Sequence, residues 1–567
     1  MSNRTVAVLA LTIAATASLY AQTASPKPQE KPTPSAHPAA KDAGRHGQFT
    51  RKAAEGPHMQ VLSATHFGTS GHETFVDVAQ LADGTIAAFG RSWGPNWPDK
   101  LPTQTLGKGK HGGTVKTTPD RSGVQRPDQK AADLAGFIVL YQVAAGQLKP
   151  TRALRFDWGV ADISAATISG DQTAFIIAGR CLQHFNTVAD NARNTTRVAQ
   201  TKPAPPQRTS RRNQTPANAP PPSDVYVARM QPDGQIDWMV LLEQNNDPPT
   251  RLFTDSKANV YFDARGLHRV SPDGKQVAII NTRSGSGTTS WLGVDPKTGD
   301  VFFGGDRNTH TGHQPWRQPF VYRFDQAGNR NLTLWEFDPK ECACGPGGNG
   351  LCSDSSPKTM AFDLNGDWLF AGWSDGGNTV FSRQATDWRT PAGSQGMGMN
   401  AAGVGVSSLA HMMRVDPKSH QTKAYTFWSS YIPMYFSAEK FRGKPNGASI
   451  DHLTVLPSGA VAIAGGAATG LIQTPNAFWF DPGLPDRHGG AFVAVFRPDL
   501  SNLLFSSYTP GVADLRIAPL KNGLAVVGTS TGSDRWVRPT ASPSIKPAQP
   551  YAGATDAWIC VLLNPAP

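Results

Sequence analysis

Charge is scarce in this chain: Asp, Glu, Lys and Arg make up 17% of 567 residues, and only five cysteines are present. No long stretch has a 3.6-residue apolar period, which excludes a helical bundle. The longest apolar run, residues 6–19, is too short to cross a bilayer, and no other run comes closer. Metalloprotease H-E-x-x-H and haem C-x-x-C-H strings are missing, as is a calcium loop with its closing Glu. Gly528-Thr-Ser-Thr-Gly532 matches G-x-S-x-G, but it passes from a strand into a loop with no helix after it, so it is not a nucleophile elbow. Gly (56) and Pro (46) are plentiful and cut the sequence into short apolar runs, the pattern of an all-β, loop-rich protein.

The first 21 residues combine Arg4, the apolar run and Ala21 before Gln22, and read as a secretory signal peptide cleaved near Ala21. Residues 22–56 are rich in Pro, Lys and Ala and cannot bury apolar surface, so they read as a disordered tether to a single domain over 57–567. A secreted or periplasmic monomer without a transmembrane segment is the expectation. Export makes disulfides the default use of cysteine. Cys181, Cys342, Cys344 and Cys352 fall in apparent loops, and Cys352 is expected to pair with Cys342 or Cys344. Cys560, inside the apolar run DAWICVLL, is expected to stay a buried thiol.

Residues 489–530 contain four apolar runs, AFVAVF, NLLFSSY, VADLRIA and LAVVGT, each ended by a turn signal. Runs this short between Pro, Gly and Asn read as buried strands. The last recurs as a strand closing on a Gly-containing turn: DGTIAAFG, DQTAFIIAG, ANVYFDARG, GDVFFGG, GDWLFAG, SGAVAIAGG and NGLAVVG. The first recurs as GFIVLYQV, DVYVARM, LHRVSP, PFVYRFD, AHMMRVD, AFVAVF and DAWICVLL, alternating with the other set. Seven of each imply a seven-bladed β-propeller of four-stranded blades. MQVLSATHFG (59–68) is a second run without a first, and TDAWICVLL (555–563) is a first run without a second. The two halves complete one blade if the chain closes by pairing its N-terminal strand with its C-terminal strand.

These segments resemble the bacterial β-propeller repeat family often called SBBP, in which a run like DAFVAKLDPxG is followed by LLYSTYLGG and an AVDxxGNVYVTG hairpin. The matching stretches are Gly490-Ala-Phe-Val-Ala-Val-Phe-Arg-Pro with Leu503-Leu-Phe-Ser-Ser-Tyr, Asp224-Val-Tyr-Val-Ala-Arg-Met-Gln-Pro-Asp-Gly, Thr254-Asp-Ser-Lys-Ala-Asn-Val-Tyr, and the loop Thr474-Pro-Asn-Ala-Phe. The resemblance spans 59–563 loosely, since blades two to five diverge. It implies the fold and an extracytoplasmic setting, and carries over no catalytic motif.

In such a propeller the hairpin strands are innermost, so the turns at Asp83-Gly84, Pro232-Asp233-Gly234, Pro272-Asp273-Gly274 and Leu364-Asn365-Gly366 share one face. The excess length, at 91–134, 181–223, 339–356, 374–409, 429–447, 467–490 and 531–555, falls on the other, where function is expected. The net charge of +11 resides in the tether and in loops 91–134 and 181–223, the latter carrying Arg208, Arg211 and Arg212. These segments are either solvated linkers or attract a polyanionic glycan, an envelope surface or a protein partner; export disfavours nucleic acid. W-x-x-P recurs at Trp316, Trp388, Trp479 and Trp536. Each indole is either a loop anchor or, beside Arg317 and Arg389, a stacking platform. His310 and His313 lack further ligands at metal-binding spacing, and no metal or cofactor is expected.

Where inner strands begin, His72, Glu73, Asp162, Arg251, Asp451, His452, Asp514 and Arg516 read as a charged channel mouth, and Gly159-Val-Ala-Asp162 repeats as Gly511-Val-Ala-Asp514. Three functions follow as expectations: a non-enzymatic propeller that binds a macromolecule on its basic, Trp-bearing face, a glycan lyase or hydrolase with acid and base groups at the channel mouth, or a structural module of an envelope assembly.

Overall fold

The computed structural model of the chain describes residues 58–68, 72–93, 101–106, 114–115, 129–130, 134–156, 162–181, 192–198, 224–243, 247–264, 266–280, 288–310, 315–338, 341, 354–374, 380–395, 409–428, 448–467, 471, 473–477, 490–509, 511–530 and 555–564. All of them belong to one compact unit, 48–567. The signal peptide, the tether, Arg208, Arg211, Arg212, Trp536 and the proposed partners Cys342, Cys344 and Cys352 lie outside the described residues. Among the described residues no helix is long and apolar enough to cross a membrane.

The chain forms seven antiparallel four-stranded blades in a ring. Their inner strands are Glu73–Gln80, Ala165–Ile168, Phe253–Thr254, Thr288–Val294, Ser355–Phe362, Ala448–Val455 and Val512–Leu520, for blades one to seven. Blade seven is completed from both ends of the chain: Gln60–Phe67 pairs antiparallel with Asp556–Leu563, with Ala64 opposite Cys560 and His66 opposite Trp558. The closing strand is also tied to blade six, where the Met59 amide donates to the Leu504 carbonyl at 3.1 Å.

The near-continuous apolar strands follow from the ring, because each blade buries both faces against neighbours. In Gly490–Phe496, Phe492, Ala494 and Phe496 pack toward blade five, while Val493 and Val495 pack toward blade seven. An apolar cluster fills each contact between successive blades around the ring. Cys560 is fully buried, and burial pushes its thiol pKa far up. Cys181 is not a loop residue: it ends the strand Phe175–Cys181, and its side chain belongs to the cluster between blades one and two.

Three long insertions hold unforeseen strands. Thr103–Leu106, Ala192–Val198 and Ser394–Gln395 each leave the connection between second and third strands and pair in parallel with the outer strand of blades one, two and five. They cover outer edges that would otherwise present unpaired backbone groups. On the opposite face, Gly84, Gly234, Gly274 and Gly366 take φ of 90°, 92°, 72° and 87°, as tight turns demand. Carboxylates there cap their own turns, with Asp83 accepting from the Thr85 amide at 2.9 Å and Asp363 from the Asn365 amide at 2.8 Å.

Candidate functional site

Five inner strands carry a β-bulge near their start. The register slips between Phe75 and Asp77, Thr289 and Trp291, Pro357 and Thr359, Ile450 and His452, and Ala513 and Arg516. The second strand of these blades carries the recurrent glycine, but the strand does not turn there as expected: Ile86–Trp93, Trp368–Ser374 and Val461–Ala467 continue past Gly90, Gly372 and Gly465. A Cβ at these positions would meet the carbonyl oxygens of Thr74, Ser356 and Ser449 at 2.6, 2.2 and 1.9 Å. Glycine is needed because the bulged backbone presses against it. The bulge in turn re-aims the residue that follows it.

Asp77, Thr359, His452 and Arg516 are those residues in blades one, five, six and seven, and they gather with Arg251, which precedes the inner strand of blade three. Arg251 donates from Nη1 to Thr359 Oγ1 at 2.9 Å and from Nη2 to the Asp451 carbonyl. Its Nη2 also lies 3.3 Å from His452 Nδ1, and Arg516 Nη1 lies 2.5 Å from His452 Nε2. A side chain from blade three reaches blades five and six only across the central channel. The blade-four counterpart, Trp291, turns away and donates to the Pro357 carbonyl at 2.7 Å.

Electrostatics in this layer are strained. Burial, then Arg516, then Arg251 hold the His452 pKa well below the imidazole range, so the ring is neutral. A neutral imidazole has one N–H and one acceptor nitrogen, yet a guanidinium faces each side, so one contact sets donor against donor. Burial and then Arg516 lower the Arg251 pKa to about 10. Asp77 accepts from the Val78 amide at 3.1 Å and the Ala166 amide at 3.3 Å. Burial outweighs the attraction of Arg516 and raises the Asp77 pKa to about 6. Asp77 was not legible as a site residue; the signal that would have found it is its place three residues before the end of its inner strand, level with Arg516 and His452 in the bulge register.

The structure divides the remaining candidates. Arg251, Asp451, His452 and Arg516 do come together, and Asp514 stands exposed on the bulge of blade seven with a φ of 54°. His72, Glu73 and Asp162 are instead built into the blade ends. His72 Nδ1 lies 3.1 Å from Thr555 Oγ1, and Glu73, fully buried, accepts from Ser92 Oγ at 2.9 Å. Asp162 accepts from the Arg180 amide at 2.7 Å and pairs with the Arg180 guanidinium at 3.6 Å.

On the loop-bearing face, Trp388 is 9% exposed and sits in the cluster between blades four and five. Arg389 covers its ring at 4.6 Å and pairs with Glu341 at 2.6 Å. Arg317 pairs with Asp354 at 3.8 Å and lies over Trp373 at 5.7 Å. The side chains of Trp316 and His310, and all of His313, lie outside the described residues. Among the described residues no cluster of His, Cys, Asp and Glu is arranged to hold a metal ion.

No family model and no curated protein matches the chain. Among solved structures it is similar to the Dos1 propeller, at 9% identity and a TM-score of 0.36 over 89% of this chain and 95% of that one. It is similar also to the C-terminal WD40 domain of Sif2, at 8% identity and a TM-score of 0.36 over 90% of this chain and 100% of that one. A third is the periplasmic gluconolactonase PpgL of Pseudomonas aeruginosa, at 11% identity and a TM-score of 0.33 over 75% of this chain and 82% of that one.

Proposed function

We propose that this chain is an exported, non-enzymatic propeller of the SBBP repeat type that binds an anionic macromolecule, a polyanionic glycan or envelope component, on its loop-bearing face and over the channel mouth. The observation that carries the reading is the convergence of Arg251 and Arg516 from opposite sides of the ring onto one neutral histidine. Inner strands start on the loop-bearing face and the bulges lie near their starts, so this layer opens toward the same face. Long connections there supply the reach and the positive charge that draw an anionic partner in. His452, flanked by cations and held neutral, is a poor proton carrier, and Glu73 and Asp162 are tied into blade ends, which weighs against catalysis.

One observation favours the enzyme reading: the Asp77 pKa of about 6 suits a general acid or base near neutrality. A lyase or hydrolase would then turn over uronate-containing glycans, with activity lost in Asp77→Asn. The test is a glycan and envelope-extract binding screen on protein lacking residues 1–56. Salt-sensitive capture of an anionic glycan without turnover supports the binding reading. Turnover supports the enzyme, and the absence of any anion-dependent capture leaves an envelope scaffold.

A further inference from the structure

Arg251 and Arg516 stand in the channel with incomplete protein partners. Arg516 spends Nη1 on His452 and on the Leu515 carbonyl at 3.2 Å, and its Nε–H and Nη2–H groups have no acceptor among the described residues. Neither guanidinium forms an ion pair with a described carboxylate, although ion pairs are common elsewhere in the ring, as at Arg229 with Asp171 and Lys423 with Asp367. Both arginines are half-buried, where charge is screened less than on an open surface. Two like charges are thus held together around a ring that can accept from only one of them.

We propose that this layer is an oxyanion site, in which a carboxylate or phosphate group of the ligand accepts from the open edge of Arg516 and from Arg251 beside the neutral His452. This rests on the reading that the channel mouth is the binding centre and names the chemistry of the group bound there. An anion supplies the direct ion pair that neither Asp77 nor Asp451 makes with these guanidiniums. It places negative charge between two guanidiniums, and the planar donor fork of arginine matches a carboxylate or phosphate edge. Thr359 fixes Arg251 from the far wall. Two carboxylates compete for these cations: Asp77 faces Arg516 and Arg251 and accepts from the Val78 and Ala166 amides, and Asp451 attracts Arg251. Protonation of Asp77 removes a repelling charge, so the anion binds more tightly as pH falls through about 6.

The test is calorimetric titration of the chain with glucuronate and, separately, with inorganic phosphate. Glucuronate binding is expected to tighten between about pH 7.5 and about pH 5, a range over which its own carboxylate stays ionised. Arg516→Met should weaken binding by about thirtyfold or more. Asp77→Asn should bind tightly at both pH values, with the pH dependence gone. The melting temperature of ligand-free Arg516→Met should hold, since removing one of two like charges relieves repulsion; if that variant fails to fold, the flattened profile of Asp77→Asn decides. Preference for glucuronate assigns the site to an acidic sugar, and preference for phosphate to a phosphorylated ligand. No binding of either probe at millimolar concentration, or binding untouched by both substitutions, overturns the proposal. Glucuronate binding without capture of any polymer would instead leave the oxyanion site standing and remove the macromolecular partner.

Discussion

Asp77, His452 and Arg516 occupy one register position in three blades, and their chemistry differs because the position faces the channel rather than a packed neighbour. At the same position in blade four, Trp291 instead turns into the contact with blade five and is buried there. All three are the fifth residue of their inner strands, but ETFVDVAQ alternates apolar and polar residues, so Asp77 reads as an ordinary polar position on a strand with one solvated face. A bulge shifts the side chains beyond it to the other face, and no local residue pattern announces it. Trp388 shows the converse case: its repeated W-x-x-P setting leaves anchor and platform both open, and its burial favours the anchor. Trp388→Ala should therefore cost about 3 kcal/mol, the usual loss for a large buried aromatic, seen as a lower melting temperature with glycan affinity unchanged. A variant with full stability and weakened affinity would restore the platform.

Strands and their order were legible because apolar runs and turn residues repeat with the blade. The fifth strands of blades one, two and five were not, because an edge strand such as TQTL or ARNTTRV has one solvated face and reads as loop. The recurrent glycine is visible in the sequence and reads as a turn residue; its reason is instead the carbonyl of the bulged neighbour, a contact between strands that sequence spacing does not encode. Gly465→Ala tests this directly. The added methyl would lie 1.9 Å from the Ser449 oxygen, a backbone atom that can yield only if the bulge moves. A loss of about 3 kcal/mol is expected in chemical unfolding. An alanine at Gly490, where a Cβ meets nothing within 4 Å, should change stability little. Equal effects at the two positions would mean that the bulge does not need its glycine.

At the scale of the ring, the two half-blades at the chain ends were the clearest signal in the sequence, because each run is too apolar to stand alone at an edge. Their pairing joins first to last, so removing the closing strand exposes Asp556–Leu563 along its whole length. Deletion of 57–70 should produce aggregation, while deletion of 22–56 should leave melting and solubility unchanged; equal stability of the two proteins would contradict closure. The functional claim is that one face of this ring does the binding, centred on the channel layer. Its most direct measurement is hydroxyl-radical footprinting of the chain with and without a saturating polyanionic glycan. The account predicts protection at Arg251, His452 and Arg516 and on the loop-bearing ends of the blades, with the hairpin turns at Asp83, Asp233 and Asp363 equally reactive in both states. Protection of those turns, with the channel layer unchanged, would contradict it.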